Sequence, residues 1–296
     1  MKYTLNLIEM LFAFLFFSCA HTDEPVIPTI PTDKPIQVTF SANILTIEVS
    51  PFTRSGIKDA TIGDIVTTIG CAVYDSNGKI VVDHYKEYNP LYESAPEDFG
   101  RISTTLLPGK YKLIMYGLGK GDGAVNQVFP NEYSSDLGLT LGNREVFYKC
   151  QDIEISSSLK EMEIILSRKS ALLKVEITDE VHKDVGKVIY EFNHPQKWNA
   201  YYNRGEGDIS VKHEISIVNN HLEIYEYYIP FPNSYGNFTV SVFKKDGSLL
   251  FDKTLSLPFE VNRKTIVRGN LFSNLDGKLW EILIEDAWGE DMEYPI

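Results

Sequence analysis

Residues 36–49 read IQVTFSANILTIEV. Ile36, Val38 and Phe40 alternate with polar residues, the period of a strand with one face on a core and the other in water. Leu45, Ile47 and Val49 alternate in the opposite phase, which implies a bulge or turn near Asn43. The same period of two recurs in YKLIMYG (111–117), KEMEIILS (160–167), LLKVEITD (172–179), NFTVSVF (237–243) and LWEILIED (279–286). Asn77-Gly78, Asp246-Gly247 and Asp276-Gly277 stand between such runs and signal tight hairpins, because glycine accepts the positive φ that these turns require. No stretch sustains a helical stripe beyond short ones near Val181 or Arg144. Many short strands without intervening amphipathic helices predict an all-β chain of antiparallel sandwiches.

About 260 of the 296 residues follow a proline-rich leader, more than one ordinary core holds, so two domains are expected. With 43% hydrophobic residues the chain can fill real cores. The formal charge of -13, from 28 basic and 41 acidic residues, argues against a nucleic-acid partner, which requires clustered Lys and Arg.

Residues 10–17, MLFAFLFF, are apolar but far short of the roughly 20 residues of a membrane-spanning helix. With Lys2 before them and Ser18 and Cys19 after them, they read as a secretory signal. The pattern resembles a bacterial lipoprotein signal, although Phe16 stands where leucine is usual. That resemblance implies cleavage between Ser18 and Cys19 and acylation of Cys19; the alternative is an ordinary secreted protein with a chance cysteine. More than one acyl chain would anchor stably, since each buried methylene contributes about 0.8 kcal/mol and a single chain is marginal. Residues 20–35 hold four prolines and few large apolar residues, the composition of an extended tether. Asp23 and Glu24 resemble an acidic export signal that sends lipoproteins to the outer face of the outer membrane; mere solubility is the alternative.

Three N-terminal stretches carry a further likeness: VTFSANILTIEVSPFTRSG (38–56), IGCAVYDSNGKIVVD (69–83) and LLPGKYKLIMYGLG (106–119). Together they resemble the N-terminal domain of the fimbrillin superfamily of type V pili, especially its lipid-anchored minor-subunit branch. EIILSRKSALLKVEITD (163–179) and FEVNRKTIVRGNLFSNLDGKLWEILIEDAW (259–288) are similar to the opening strand pair and closing hairpin of that family's second domain. The resemblance implies two tandem transthyretin-like Greek-key β-sandwiches, 36–162 and 163–296, behind a signal (1–18) and a lipidated tether (19–35). It also implies an anchor or accessory pilus subunit on the outer membrane, with other pilus subunits as partners through strand-mediated contact and the membrane reached through the N-terminal lipid.

In the family's stalk branch a protease cuts after an arginine that follows the first strand. Arg54 stands at a comparable place, but a cut there would part Cys19 from the body. An anchor is therefore expected to keep the strand around residues 36–40 and to meet its neighbour through an exposed edge or through EDAWGEDMEYPI (285–296).

Nothing converges on catalysis, a metal or a cofactor, and no enzyme is expected. Gly117, Gly119, Gly121 and Gly123 match neither a dinucleotide nor a phosphate-loop spacing and read as a flexible loop. The six histidines are scattered, and DSNGK (75–79) lacks the later ligands of a calcium loop. Glu285 and Asp286 are adjacent acids of the kind that 41 carboxylates produce by chance. Trp198, Tyr201 and Tyr202, and again Tyr225, Tyr227 and Tyr228, crowd two expected loops. There they either stack on sugars, as in a surface glycan-binding lipoprotein, or pack on the sandwich. Cys71 and Cys150 either form one disulfide or remain free buried thiols.

Overall fold

A computed structural model describes residues 34–44, 61–121, 143–199, 204–230, 232, 235–273 and 280–285. The chain divides into a unit Met1–Lys34 and a unit Pro35–Ile296, and every described strand lies in the second.

Seven strands build its first half: β1 Ile36–Ile44, β2 Val66–Tyr74, β3 Ile80–Glu87, β4 Arg101–Leu106, β5 Gly109–Gly121, β6 Arg144–Ile155 and β7 Glu161–Arg168. They form one sheet in the order β3-β2-β5-β6-β7-β1-β4. At the β6–β7 seam only Phe147 with Arg168 and Tyr148 with Ser167 pair. The sheet turns there, and one core gathers side chains from both arms: Val38, Phe40, Ile102 and Leu166 from one, Ile69, Val73, Leu113 and Phe147 from the other. Burial of each large apolar side chain contributes roughly 1.5–3 kcal/mol.

All nine residues of β2 are buried. The outer face of β2, β5 and β6 carries a second cluster that includes Ala72, Tyr74, Ile114, Tyr116, Val146 and Tyr148. The alternation expected of YKLIMYG is thus a two-sided burial, and its continuous apolar run LIMY is what such a strand needs.

The second half holds β8 Ser170–Ile177, β9 Val185–Asn199, β10 Arg204–Ile215, β11 Ile217–Val218, β12 His221–Leu222, β13 Tyr225–Pro230, β14 Tyr235–Lys244, β15 Leu249–Pro258, β16 Lys264–Gly269 and β17 Trp280–Glu285. Sheets β10-β9-β14-β15 and β13-β8-β16-β17 enclose a core that includes Leu173, Val188, Tyr190, Phe192, Phe238 and Val267. Among the described residues the pairing is antiparallel except for β1 with β7 and β8 with β16, which run parallel. The expected boundary between residues 162 and 163 falls inside β7; Ile164 and Leu166 lie in the first core and the second starts at Ala171.

Asn77-Gly78 and Asp246-Gly247 form the expected turns, with φ of 78° at Gly78 and 84° at Gly247. The turn at Asp276 lies outside the described residues. Gly117, Gly119 and Gly121 belong to β5 and not to a loop. A Cβ at Gly117 would lie 3.0 Å from Val66 Cγ1, and one at Gly119 only 2.8 Å from Glu145 Cβ, so close neighbours and not flexibility require glycine there. β1 keeps one phase through Ile44, which places the expected change of phase no earlier than residue 45, outside the described residues. Arg144 opens β6, and Val181 lies in an irregular segment before β9 where its N–H donates to Asn220 O; neither is helical. Among the described residues the helix is α1, the single turn Ile62–Ile65, and none is long and apolar enough to cross a membrane.

Candidate functional site

The sequence directs attention to how the N-terminal segment joins the body. Ser18, Cys19 and Arg54 lie outside the described residues; the strand between them does not. β1 occupies an interior place in its sheet, with six antiparallel pairs to β4, from Ile36 with Leu106 to Ser41 with Arg101. Six parallel pairs join it to β7, from Thr39 with Glu161 to Ile44 with Leu166. Val38 and Phe40 are fully buried, and Ile44 nearly so. On the opposite face, Ser41 Oγ donates to Glu161 Oε1 at 2.7 Å and Asn43 Nδ2 to Glu163 Oε1 at 2.9 Å. The Thr39 and Ser103 hydroxyls lie 2.9 Å apart, and Arg101 Nη2 is 2.9 Å from Glu161 Oε1. These bridges follow from strand alternation: short polar residues at 39, 41 and 43 share the solvent face with acids on β7.

Beyond β7 the two halves meet through a polar junction. The Arg168 guanidinium is almost wholly buried; its Nε donates to Glu145 Oε1 and its Nη1 to Asn262 Oδ1 at 2.7 Å. Its face also lies 5.2 Å from the centre of the Phe147 ring. Burial pushes the Glu145 carboxyl above its usual range, against the opposing pull of Arg168. Lys169 N–H donates to Val146 O, Asn262 N–H to Ser170 O, and Tyr228 N–H to Asn143 Oδ1 at 2.8 Å. Sequence reading missed this junction, because a lone arginine at the end of an alternating strand resembles any solvated cation.

The aromatic residues are placed differently from expectation. Tyr225, Tyr227 and Tyr228 lie in β13 and not in a loop. Tyr225 and Tyr227 face inward with Tyr190, Phe192 and His213: the His213 ring centre is 5.3 Å from that of Tyr225 and 5.4 Å from that of Tyr227. Burial lowers the His213 pKa, and its Nε2, like the hydroxyls of Tyr190 and Tyr225, is buried without a hydrogen-bond partner. Tyr228 points instead to the junction. Trp198 lies in β9, while Tyr201 and Tyr202 are outside the described residues.

Cys71 and Cys150 are both free. Cys71 pairs with Met115 across β2 and β5 and lies in the inner core, whereas Cys150 pairs with Ile114 and lies against the outer cluster. Opposite faces of one sheet cannot be joined by a disulfide without moving the backbone. Glu285 ends β17, and Asp286 is outside the described residues.

The fold is similar to those of several solved bacterial structures. The fimbrial anchor protein Mfa2 from Porphyromonas gingivalis superimposes with a TM-score of 0.51 at 12% identity, over 85% of this chain and 97% of that one. The chain shares the fold of a fimbrial anchor. A candidate adhesin from Bacteroides ovatus gives 0.51 at 12% identity, over 88% of this chain and 95% of that one. A candidate polysaccharide-binding protein from Bacteroides thetaiotaomicron gives 0.51 at 13% identity, over 79% of this chain and 92% of that one. No family model and no curated protein matches the sequence.

Proposed function

We propose that this chain is a non-catalytic structural subunit of a pilus at the cell surface, an anchor or accessory component of the outer membrane. The observation that carries the reading is the place of β1: the strand nearest to Cys19 sits inside its sheet, between two ladders, so a lipid on that cysteine would be covalently continuous with a firmly seated strand. The fold shared with a fimbrial anchor protein supports the same reading. On this reading residues 1–18 are removed, Cys19 carries acyl chains, residues 19–35 give distance from the membrane, and Arg54 stays uncut. The body comprises two sandwiches that divide at Lys169, and a neighbouring subunit engages an exposed sheet edge or residues 285–296. The glycan-binding alternative loses the tyrosines of β13, whose rings pack within the protein.

Membrane fractionation and mass spectrometry of the natively expressed full chain test the reading. A Cys19 peptide bearing acyl chains, lost together with membrane attachment in Cys19→Ala, supports it. A mature chain that begins elsewhere with an unmodified thiol overturns it. Arg54→Ala should leave surface attachment and pilus formation intact; loss of pili would assign the chain to the cleaved, polymerising branch.

A further inference from the structure

We infer that the first half is a tension clamp: a pull entering at residue 35 and leaving through Arg168 loads the β1–β7 ladder in shear, all pairs at once. This rests on the anchor reading only in that tension is taken to arrive from the N-terminal side.

The direction of the force follows from the register. β1 and β7 are adjacent and parallel, from Thr39 with Glu161 to Ile44 with Leu166. The chain enters β1 at Ile36, beyond the start of β7, and leaves β7 at Arg168, beyond the end of β1. These two points lie at opposite ends of a common axis. A pull between them slides β1 and β7 past each other in opposite senses, and six pairs share the force. An antiparallel pair pulled apart at one end behaves otherwise, because each rung in turn takes the whole force.

Further contacts of β1 resist the same sliding. The six antiparallel pairs to β4 are also loaded along their length. Ser41 with Glu161 and Asn43 with Glu163 tie β1 directly to β7, and Thr39 with Ser103 ties it to β4. Val38 and Phe40 would have to leave fully buried sockets. At the far end of β7, Arg168 is fixed to Glu145 within the first half and donates to Asn262 in the second, so the force passes into the second half through a buried hydrogen bond as well as through the backbone. Forced unfolding is set by the height of the unfolding barrier, and a barrier crossed only when all rungs fail together is high.

The register supplies its own control. Leu107 follows the residue that pairs with Ile36, so residues 35 and 107 lie at the same end of the β1–β4 ladder. The test uses the full chain with Cys19→Ser and Cys150→Ser, carrying either Pro35→Cys with Lys169→Cys or Pro35→Cys with Leu107→Cys as handles for single-molecule force spectroscopy at one pulling speed. The 35/169 geometry should rupture at a several-fold higher force than 35/107. Adding Ser41→Ala and Asn43→Ala should lower the force for 35/169 and leave 35/107 unchanged. Equal forces in the two geometries, or an equal drop in both on removing the bridges, overturn the clamp. An acylated Cys19 with equal forces would sink the clamp and spare the anchor reading; an unmodified Cys19 with a strong 35/169 geometry would do the reverse.

Discussion

Arg168, the last residue of β7, donates to the Oδ1 of Asn262 across the junction at 2.7 Å while it holds the Glu145 carboxylate in the first half. One buried cation thus has a partner in each half. Asn262 adopts a φ of 62°, a left-handed conformation that asparagine tolerates better than most residues, and this places its amide beside the guanidinium.

Replacing Arg168 with alanine leaves Glu145 in a buried place without its partner. Breaking a buried pair in this way typically costs about 3–5 kcal/mol. The expected outcome is a loss of that order in denaturant unfolding, with the two halves beginning to unfold in separate transitions. A single transition with unchanged midpoint would contradict the role given to this residue.

Gly70 sits beneath Tyr116, and a Cβ there would lie 2.1 Å from the ring's Cζ. Tyr116 is almost wholly buried. Gly70→Ala should therefore destabilise by roughly 1–3 kcal/mol, the usual cost of overfilling a packed site. Combined with Tyr116→Ala the two losses should sum to less than their separate values, because the second change removes the clash; urea melts of the four proteins give the coupling.

His213 supplies an acid-sensitive contribution. Burial among Phe192, Tyr190, Tyr225 and Tyr227 lowers its folded pKa, while in the unfolded chain it titrates near about 6.5. Below that pH the unfolded chain takes up a proton that the fold resists, so stability falls as pH drops through this window. His213→Phe should remove this part of the loss. Melting temperatures of the two proteins compared between about pH 7.5 and pH 5 should diverge toward acid, with the variant the less sensitive.

Cys71 is fully buried, and burial pushes its thiol up to about 12, with Asp83 adding to the shift. It should resist iodoacetamide in the native protein at neutral pH and react only after unfolding, because the thiolate is the nucleophile. Peptide mapping without reductant should find no Cys71–Cys150 link; such a link would require one of the two strands to be turned over.

The strands were legible where one face is wet. Val38, Phe40, Ile164 and Leu166 point inward as their alternation predicts, and the glycine turns at Asn77 and Asp246 close the hairpins they signal. β2 and β5 were harder, because burial on both faces erases the period, and glycines that serve close packing in β5 look like those of a loop. The tyrosines of β13 misled for a related reason: polar and aromatic residues in YEYYIP suit a loop as well as a strand that closes a sandwich. The parallel partnership of β1 and β7 has no local signature, since nothing near residue 39 refers to residue 161. Arg168 has none either, because its burial is created by both halves together.

That partnership also sets an order of events in time. Ser41 and Glu161 are 120 positions apart, whereas Thr39 and Ser103 are 64 apart. A ribosome adding about 5–20 residues per second needs on the order of ten seconds to make the difference between a first strand and its last neighbour. β4 becomes available well before β7, and until β7 arrives one side of β1 remains an open edge with unpaired N–H and C=O groups, ready to pair with any other chain at hand. Within the first half, the strand that is synthesised first is completed only by the last, and a nascent fragment ending before Glu161 carries the hazard of that open edge for as long as it exists.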